Sequence, residues 1–386
     1  MTSLYCLKYF SFHFILFDCN FYYTFSVSSR EYLCCLAPST IYICMPLPDQ
    51  FSLSTCANIL SHEILRSCIW FIGALSIISN VVSIVWHFNS YEKQYEVVKT
   101  LIINLSLADL IMGLYLIAIA SANAYFAETF DVNHEIWLRS GVCLISCFLI
   151  SISTLMSTFI MFLITLDRYL HLVYPFKEVR LSYWTLIISL ITFWLISIIF
   201  TGIPIIYSIN QPSHNRLYEN NSACLPGNIN NLYMLAWLLI YCSITFITWI
   251  FISIMYVAIV IVLIKSRKET KRQISKFDKV IIAKMISIVA TDLICWLPFY
   301  AVLIHGLIRS ELDTHTLPFI AVLSLPLNSC INPILYTIFT SRFIDSIQTI
   351  MTRLYQLLVS DSFINLSEHQ VKSQDRCWYL LIDFNN

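Results

Sequence analysis

The sequence predicts an all-α integral membrane protein that crosses the bilayer seven times, and three observations lead to this fold class. Of the 386 residues, 58% are hydrophobic and only 12% are charged, which is about half the charge of an ordinary soluble domain. Seven apolar runs are long enough for a helix, which needs roughly 20 residues to cross the hydrocarbon core. Five of these runs contain no Asp, Glu, Lys or Arg, and the other two contain one acid each.

The seven predicted spans follow one another along the chain with short connections. They cover residues 67–86, 100–127, 140–166, 181–215, 220–264, 285–304 and 316–341. The fourth and fifth runs each contain one helix and an adjoining loop, because Asn, Pro and Gly cluster between them. Asp109 is the acid in span two and Asp292 is the acid in span six.

The basic residues predict the orientation of the spans. Residues 265–279, after span five, are rich in Lys and Arg, and Lys177 and Arg180 follow span three. Residues 127–136, on the opposite side, contain three acids and no Lys or Arg. Because cytoplasmic loops carry the excess of Lys and Arg, we expect an extracellular N-terminus and a cytoplasmic C-terminus in the plasma membrane. Asn220 is then a glycosylation acceptor on the outer face.

Composition also excludes several classes of protein. The acidic and basic residues balance at 23 each, so the charge suggests no nucleic-acid partner. Half of the 14 cysteines, among them Cys147, Cys242, Cys295 and Cys330, lie in these apolar runs, where Cys behaves as a small hydrophobic residue. The chain contains no HExxH, GxSxG, phosphate-loop or paired-Cys metal motif, so we do not expect an enzyme. The spans show no repeated halves with matching Gly and Pro breaks, which disfavours the alternative of a transporter.

Polar residues inside the spans form an ordered series. Ionisable residues inside a membrane are functional candidates because burying them is costly. Cys143 lies 25 residues before Arg168, and Thr248 stands in span five. The other members of the series, in chain order, are Asn80, Asp109, Asp167-Arg168-Tyr169, Trp194, Pro204, Tyr256, Trp296, Pro298, Asn332, Pro333 and Tyr336.

This series resembles the rhodopsin-like (class A) G-protein-coupled receptors over about residues 63–350. The resemblance implies a seven-transmembrane helix bundle followed by a short cytoplasmic amphipathic helix 8. Thr248 stands where the family usually has a proline. Ile150 stands where amine receptors have an Asp, and Pro326 where opsins have a Lys, so neither an amine nor retinal is the expected ligand.

A closer resemblance is to the leucine-rich-repeat receptors, especially their relaxin-receptor-like branch. It rests on "IVATDLICWLPFY" with Asp292, on "LSLADLIMGLYLIAIAS" and on "LPLNSCINPILYTIFTSRF". The stretch "YLCCLAPSTIYICMPLPDQFS", with Cys34 and Cys44, is similar to the hinge of those receptors. Residues 1–62 show no leucine-rich repeat, which leaves open a truncated gene model or a receptor without the hormone-capturing ectodomain.

These resemblances divide the chain into four parts. Residues 1–30 are unassigned, either a poor signal peptide or the product of a mispredicted start. Residues 31–62 form an extracellular cysteine-containing hinge, 63–340 the receptor domain, and 341–386 helix 8 and the cytoplasmic tail. Cys143 and Cys224 both lie on the oxidising side of the membrane, so we expect a disulfide between them. A bond within the hinge, Cys34–Cys44 or Cys44–Cys56, is a further alternative.

The family resemblance assigns the coupling residues on the inner side. Arg168 is expected to pair with Asp167 and Asp278 in the resting state. On activation it is released toward Tyr256, Tyr336 and a heterotrimeric G protein, suspected to be the cyclic-AMP-raising type. Tyr169 completes the motif, and Pro175 and Phe176 resemble the hydrophobic knob that enters the G protein. The alternative for Asp278 is an ordinary charge in a basic loop.

A second implied site is a cation pocket in the middle of the bundle. The residues that match the sodium pocket of the family are Asp109, Ser157, Asn328, Ser329 and Asn332. A buried carboxylate needs compensation, which a sodium ion with hydroxyl and amide oxygens would supply. The alternative is a water-filled polar cluster without an ion. No other cofactor is expected.

The third implied site is an activation latch around Asp292. This residue lies one helical turn before Trp296, so both side chains share a face, and the break at Pro298 admits water nearby. By resemblance its partners are Asn328 and Asn332, next to Pro333. The alternative is a purely structural Asp. The expected function is a receptor for an extracellular peptide or protein hormone; the runner-up is a truncated, non-signalling partner that dimerises with a full-length receptor.

Overall fold

The computed structural model describes residues 24–26, 43–45, 53–55, 57–89, 96–174, 181–212, 215–218, 221–228, 230–270, 291, 294–305, 316–338, 349 and 352. The chain forms two compact units, Met1–Pro333 and Ile334–Asn386. In the second unit the described residues are a π-helical turn at Ile334–Ile338 and the single positions Thr349 and Thr352. The predicted helix 8 therefore lies almost wholly outside the described residues.

Within the described residues, six helices are long and apolar enough to cross a membrane, and one shorter apolar helix accompanies them. Span six is described only over the shorter helix Ile294–His305; the rest of its predicted range, 285–304, includes residues that are not described. The other spans, one to five and seven, are Glu63–Asn89, Glu96–Tyr125, Gly141–Val173, Tyr183–Ile209, Leu232–Thr270 and Thr316–Pro333.

Local sequence explains where the spans begin. Ser140 precedes span three, and its hydroxyl accepts a hydrogen bond from the backbone N–H of Cys143 at 3.1 Å, which is a standard N-cap contact. Asn231 does the same for span five through the backbone N–H groups of Tyr233 and Met234. The Asn-rich stretch before span five thus ends in a capping residue, as expected for a run that combines loop and helix.

Span three is the centre of the bundle in the first unit. It packs against spans two, four and five, whereas spans one, two and seven pack against one another. In the apolar window of span three 78% of the residues are buried, against 22% for span four. Span four therefore presents most of its apolar surface to the surroundings, which suits a helix whose solvent is lipid.

Two short segments depart from the sequence-based expectation. Thr24–Ser26 and Ile43–Met45 form a parallel pair of strands, with Phe25 opposite Cys44. The described strand residues all belong to this pair, so the expected all-α architecture applies to the membrane-spanning part. Neither the Cys34 nor the Cys56 position of the predicted hinge lies within the described residues.

The acidic segment after span two contains a helix, Phe130–Arg139, that was not predicted. Its buried residues are Phe130, His134, Trp137 and Leu138, which share one face at helical spacing. On the exposed face Glu135 and Arg139 form an i,i+4 ion pair at 2.9 Å. A span is recognised in the sequence as an apolar run long enough to cross a membrane. A ten-residue helix with a single apolar face does not form such a run, so the sequence pattern does not distinguish it from a loop.

Spans one and two approach closely at two glycines. A Cβ atom added at Gly113 would lie 2.8 Å from Ile77 Cγ1 and 3.2 Å from the backbone nitrogen of Ile77. At Gly73 it would lie 3.1 Å from side-chain atoms of Leu116 and Ile117. Small residues allow two helix backbones to approach closely in a membrane, and this contact holds Asp109 of span two near span one.

We expect Gly113→Ala to lower the melting temperature of the purified protein. Alanine normally favours a helix over glycine by about 1 kcal/mol, but overpacking against span one costs roughly 1–3 kcal/mol. Gly202→Ala in span four is the matched control, because a Cβ there meets nothing within 4 Å; it should leave the melting temperature unchanged or raise it. Thermal unfolding in nanodiscs measures both, and an equal response of the two variants would contradict the close contact.

Candidate functional site

The centre of the bundle contains a fully buried carboxylate. Asp109 of span two is 0% exposed, and its Oδ2 accepts a hydrogen bond from the side-chain amide of Asn332 in span seven at 2.9 Å. The hydroxyls of Ser157 and Ser329 lie near the same carboxylate, although neither makes a well-formed hydrogen bond to its Oδ1 atom. Three spans therefore converge on one acid.

Several oxygen atoms of this cluster have no hydrogen-bond partner among the described residues. They are the Oδ1 atoms of Asp109, Asn328 and Asn332. Buried polar atoms are costly when unpaired, and a buried charge more so. A cluster with a carboxylate, two amide oxygens and two nearby hydroxyls offers only hard oxygen ligands, which suit a small hard cation. The residues present thus fit a sodium ion chemically.

A small cavity lies beside this cluster. Its volume is about 10 Å³, close to the lower limit for one water molecule. It brings together Ser157, Asn328 and Ser329 from the predicted cation pocket. The remaining lining residues are Met112, Ser153, Thr154, Thr158, Trp249, Trp296 and Leu325.

Further hydrogen bonds fix the helices around Asp109. The amide of Asn80 in span one donates to the carbonyl oxygens of Ser76, at 2.8 Å, and of Ser329, at 3.0 Å. The hydroxyl of Ser76 donates to the carbonyl oxygen of Asp109 itself at 3.1 Å. Ser153 of span three donates to the carbonyl oxygen of Ala108 at 2.7 Å. Spans one, two, three and seven are thereby held in register at one level of the bundle.

Trp296 of the predicted latch lies in an aromatic cluster between spans five and six. Its ring stacks on Tyr300 with centroids 5.5 Å apart and lies 5.9 Å from Trp249. Tyr300 donates a hydrogen bond to the hydroxyl of Thr245 at 2.7 Å, and Ser324 of span seven donates one to the carbonyl oxygen of Cys295. Pro298 is part of the same helix, Ile294–His305, whereas Asp292 lies outside the described residues.

The predicted coupling residues are placed only in part. Asp167, Arg168 and Tyr169 are half-buried at the end of span three. Within the described part of the chain no ion pair joins Arg168 to Asp167; the ion pair present there is that of Arg139 and Glu135.

The other coupling residues are divided among different parts of the chain. Tyr256 is buried in span five, and Tyr336 lies in the π-helical turn of the second unit. Asp278, Pro175 and Phe176 are not among the described residues, so the pairing of Arg168 with Asp278 stays a prediction.

At the opposite end, the segment between spans four and five is joined to span three. Cys143 and Cys224 form a disulfide, with Cα atoms 5.5 Å apart, as expected from the sequence. Tyr115 of span two donates a hydrogen bond to the carbonyl oxygen of Ala223 at 2.9 Å, and Trp137 donates to that of Ser222 at 2.7 Å. The predicted glycosylation acceptor Asn220 lies outside the described residues.

The residues before span one join this arrangement, which the sequence did not reveal. Ile59 and Leu60 are 0% exposed. The backbone N–H of Leu60 donates to the side-chain oxygen of Asn123 at 3.0 Å, and Ser222 donates to the carbonyl oxygen of Ile59 at 3.1 Å. We call the described residues of 53–62, the helix Phe130–Arg139 and the described residues of 211–231 the loop cap.

A buried cation holds the loop cap together. Arg216 donates from Nη1 to the carbonyl oxygen of Leu138 at 3.0 Å and to the hydroxyl of Tyr218 at 2.8 Å. Tyr218 donates to the same Leu138 oxygen at 2.6 Å, and burial raises the pKa of Tyr218. The phenol therefore keeps its proton and remains a donor. Leu138 lies at the C-terminal end of its helix, where a cation is electrostatically favoured.

Strained backbone occurs inside the loop cap and just before its helix Phe130–Arg139. Among the described non-glycine residues, Glu128 and Cys224 have a positive φ, of 64° and 55°. The N–H of Glu128 donates to the carbonyl oxygen of Ala57 at 2.7 Å, and Cys224 is held by its disulfide. Such strain persists only where surrounding contacts impose it, and it is common at functional sites.

Comparisons with known proteins agree with these features. Residues 79–336 match the family model of the 7 transmembrane receptor (rhodopsin family). The chain is 29% identical over 318 residues to the G-protein coupled receptor GRL101 of Lymnaea stagnalis, a match that covers 82% of this chain and 28% of that protein. It is 28% identical over 335 residues to relaxin receptor 2 of Canis lupus familiaris, covering 82% of this chain and 43% of that receptor.

A third relative, the thyrotropin receptor of Bos taurus, is 27% identical over 330 residues, or 85% of this chain and 40% of the receptor. The chain therefore spans less than half the length of these relatives. The matched residues include the buried acid of span two, the Arg of span three and the Asn-Pro pair of span seven. By the family model and by the order of these residues in the bundle, this chain is a multi-pass membrane protein of the rhodopsin family of seven-transmembrane receptors.

Proposed function

We propose that this chain transduces an extracellular peptide or protein-hormone signal to a heterotrimeric G protein of the cyclic-AMP-raising type. The observation that carries the proposal is the polar core, where Asp109 of span two and Asn332 of span seven share a hydrogen bond beside unpaired buried oxygens. In the proposed scheme the helices around this polar centre have two arrangements, and the ligand shifts the balance between them.

The loop cap is the proposed input side. It lies on the side that the basic loops predict to be extracellular, and it is linked to span two through Asn123 and Tyr115 and to span three through the disulfide. A displacement of the segment before span one would act on these two spans directly. The relatives named as relaxin and thyrotropin receptors support a hormone as the ligand.

The proposed output side contains Arg168, Tyr256 and Tyr336. Asp167 and Asp278 restrain Arg168 in the resting state, and Pro175 and Phe176 contact the G protein. In this scheme residues 31–62 act as the hinge, 63–340 as the transducing domain and 341–386 as helix 8 and tail. A non-signalling partner that dimerises with a full-length receptor is the second candidate, and signalling in receptor-null cells separates the two.

The first test of this function uses Asp292, the proposed latch to Asn328 and Asn332. Asp292→Ala or Asp292→Gly should raise agonist-free cyclic AMP, because the link between spans six and seven is lost. Asp292→Asn should raise it less, since an amide can still form a hydrogen bond. Cyclic AMP per surface receptor is measured in receptor-null cells, with Arg168→Ala as the signalling-dead control. Flat output in all three Asp292 variants, with normal surface expression, rejects the latch.

The second test concerns the restraint on Arg168. Asp278→Asn should increase basal cyclic AMP several-fold. A charge pair at a water-accessible edge contributes on the order of 1 kcal/mol. Loss of that free energy changes the ratio of active to resting receptor several-fold. Substitution of the nearby Glu269 by Gln, also an acid in the basic segment, is the control for a general charge effect. An equal increase in both variants would show that the segment's net charge, and not a specific pair, sets the basal level.

The third test addresses the proposed sodium ion at Asp109. In nanodiscs, sodium chloride should raise the melting temperature above that in choline chloride at equal ionic strength. The stabilisation is about 1.4 kcal/mol at a sodium concentration of ten times Kd. Asp109→Asn should abolish this difference, while Asp167→Asn, at the end of span three, should keep it. A wild-type protein that melts identically in both salts would favour the water-filled cluster.

A further inference from the structure

A buried donor in span five and a buried acceptor in span seven belong to residues that line the same small cavity. Trp249 is 5% exposed and Asn328 is 6% exposed, and both line the cavity of about 10 Å³. Within the described residues, the indole Nε1 of Trp249 and the Oδ1 of Asn328 each lack a hydrogen-bond partner. One atom offers a proton and the other offers a lone pair, so their requirements are complementary.

The other polar walls of the cavity can accept a further hydrogen bond. The hydroxyls of Ser153, Thr154 and Thr158 donate to the carbonyl oxygens of Ala108, Ile150 and Thr154 at 2.7, 2.7 and 2.9 Å. Each hydroxyl oxygen then still has a free lone pair. The cavity therefore combines one N–H donor with several acceptors, in a space of about one water molecule.

We infer that this cavity binds an ordered water molecule that accepts a hydrogen bond from Trp249 and donates one to Asn328. Its second proton goes to a hydroxyl oxygen of span three. The water joins spans three, five and seven beside the ring of Trp296. It gives span five a polar connection to the centre of the bundle, which none of the predicted site residues supplies.

A sodium ion does not fit this position as well as water does. The N–H of an indole is a donor only, and it directs positive charge into the cavity. A cation prefers the carboxylate of Asp109, whose Oδ1 is unpaired among the residues described. The two sites thus divide the polar centre, with water on the side of Trp249 and the oxygen-lined position on the side of Asp109.

Span five is built to hold Trp249 in this place. Thr248 occupies the preceding position, where a proline would remove the backbone N–H. Its hydroxyl donates to the carbonyl oxygen of Ile244 one turn earlier at 2.7 Å, and the helix continues without interruption from Leu232 to Thr270. The inference rests on this geometry and does not depend on the proposed hormone signalling.

The test is an NMR spectrum of the full chain in nanodiscs, with the nine tryptophans labelled by ¹⁵N in the indole ring. The signal of Trp249 is the one lost in Trp249→Phe. It should show transfer of magnetisation from water and a shift typical of a hydrogen-bonded indole. Trp237 of the same helix is the control, because its Nε1 donates directly to the carbonyl oxygen of Phe200 at 2.9 Å and should show no such transfer.

Two results would overturn the inference. One is a Trp249 signal that shows no transfer of magnetisation from water and has the chemical shift of an indole N–H without a hydrogen bond. The other is transfer that disappears when choline chloride is replaced by sodium chloride, because an ion would then occupy the cavity. Asn328→Ala should move the Trp249 signal upfield.

A thermal measurement gives an independent readout. The loss of melting temperature in the Trp249→Phe, Asn328→Ala double variant should be smaller than the sum of the two single losses, since both remove the same water link. Trp237→Phe combined with Asn328→Ala should be additive. Additive losses in the first pair as well would refute a shared water.

Discussion

The arrangement of the bundle depends on a single buried acid, the carboxyl group of Asp109. An acid that is 0% exposed between apolar helices is tolerated only if the neighbouring helices direct polar groups toward it. The amide of Asn332 does so directly, and Ser76 and Asn80 of span one tie the backbones on either side. The close contact at Gly113 has the same effect, because it brings span one within reach of these groups. This acid and the polar groups around it thus organise the spacing of the helices.

The polar centre and the loop cap both contain buried polar atoms that need hydrogen-bond partners, and they supply these partners in different ways. In the centre, water is scarce, so an unpaired polar atom is costly and the polar groups share a few partners. In the loop cap, irregular backbone is buried, and its carbonyl oxygens are satisfied by the long side chains of Arg216, Trp137 and Tyr115. Both regions meet span two, at Asp109 and at Tyr115, so this helix connects them physically.

The sequence predicted the spans and the central acid because their signals are local or strictly ordered along the chain. Length and hydropathy locate a helix in lipid, and the order of Asp109, Arg168 and Asn332 identifies the family. The cap contacts of Ile59 and Leu60 could not be predicted in this way, because they depend on partners more than 60 residues away. Trp249 escaped for another reason. A tryptophan in an apolar run is ordinarily a packing residue. A hydrogen-bonding role for its N–H can be inferred only from the structure, in which Asn328 lines the same cavity.

The length of span five has a mechanical consequence. The apolar part of this helix is Leu232–Val262, and the helix continues to Thr270, about 12 Å further at 1.5 Å per residue. A helix anchored by its aromatic contacts within the bilayer and projecting by two turns behaves as a lever. A tilt of a few degrees about Trp249 produces little movement at the pivot and the largest movement at the basic end, where the chain meets water.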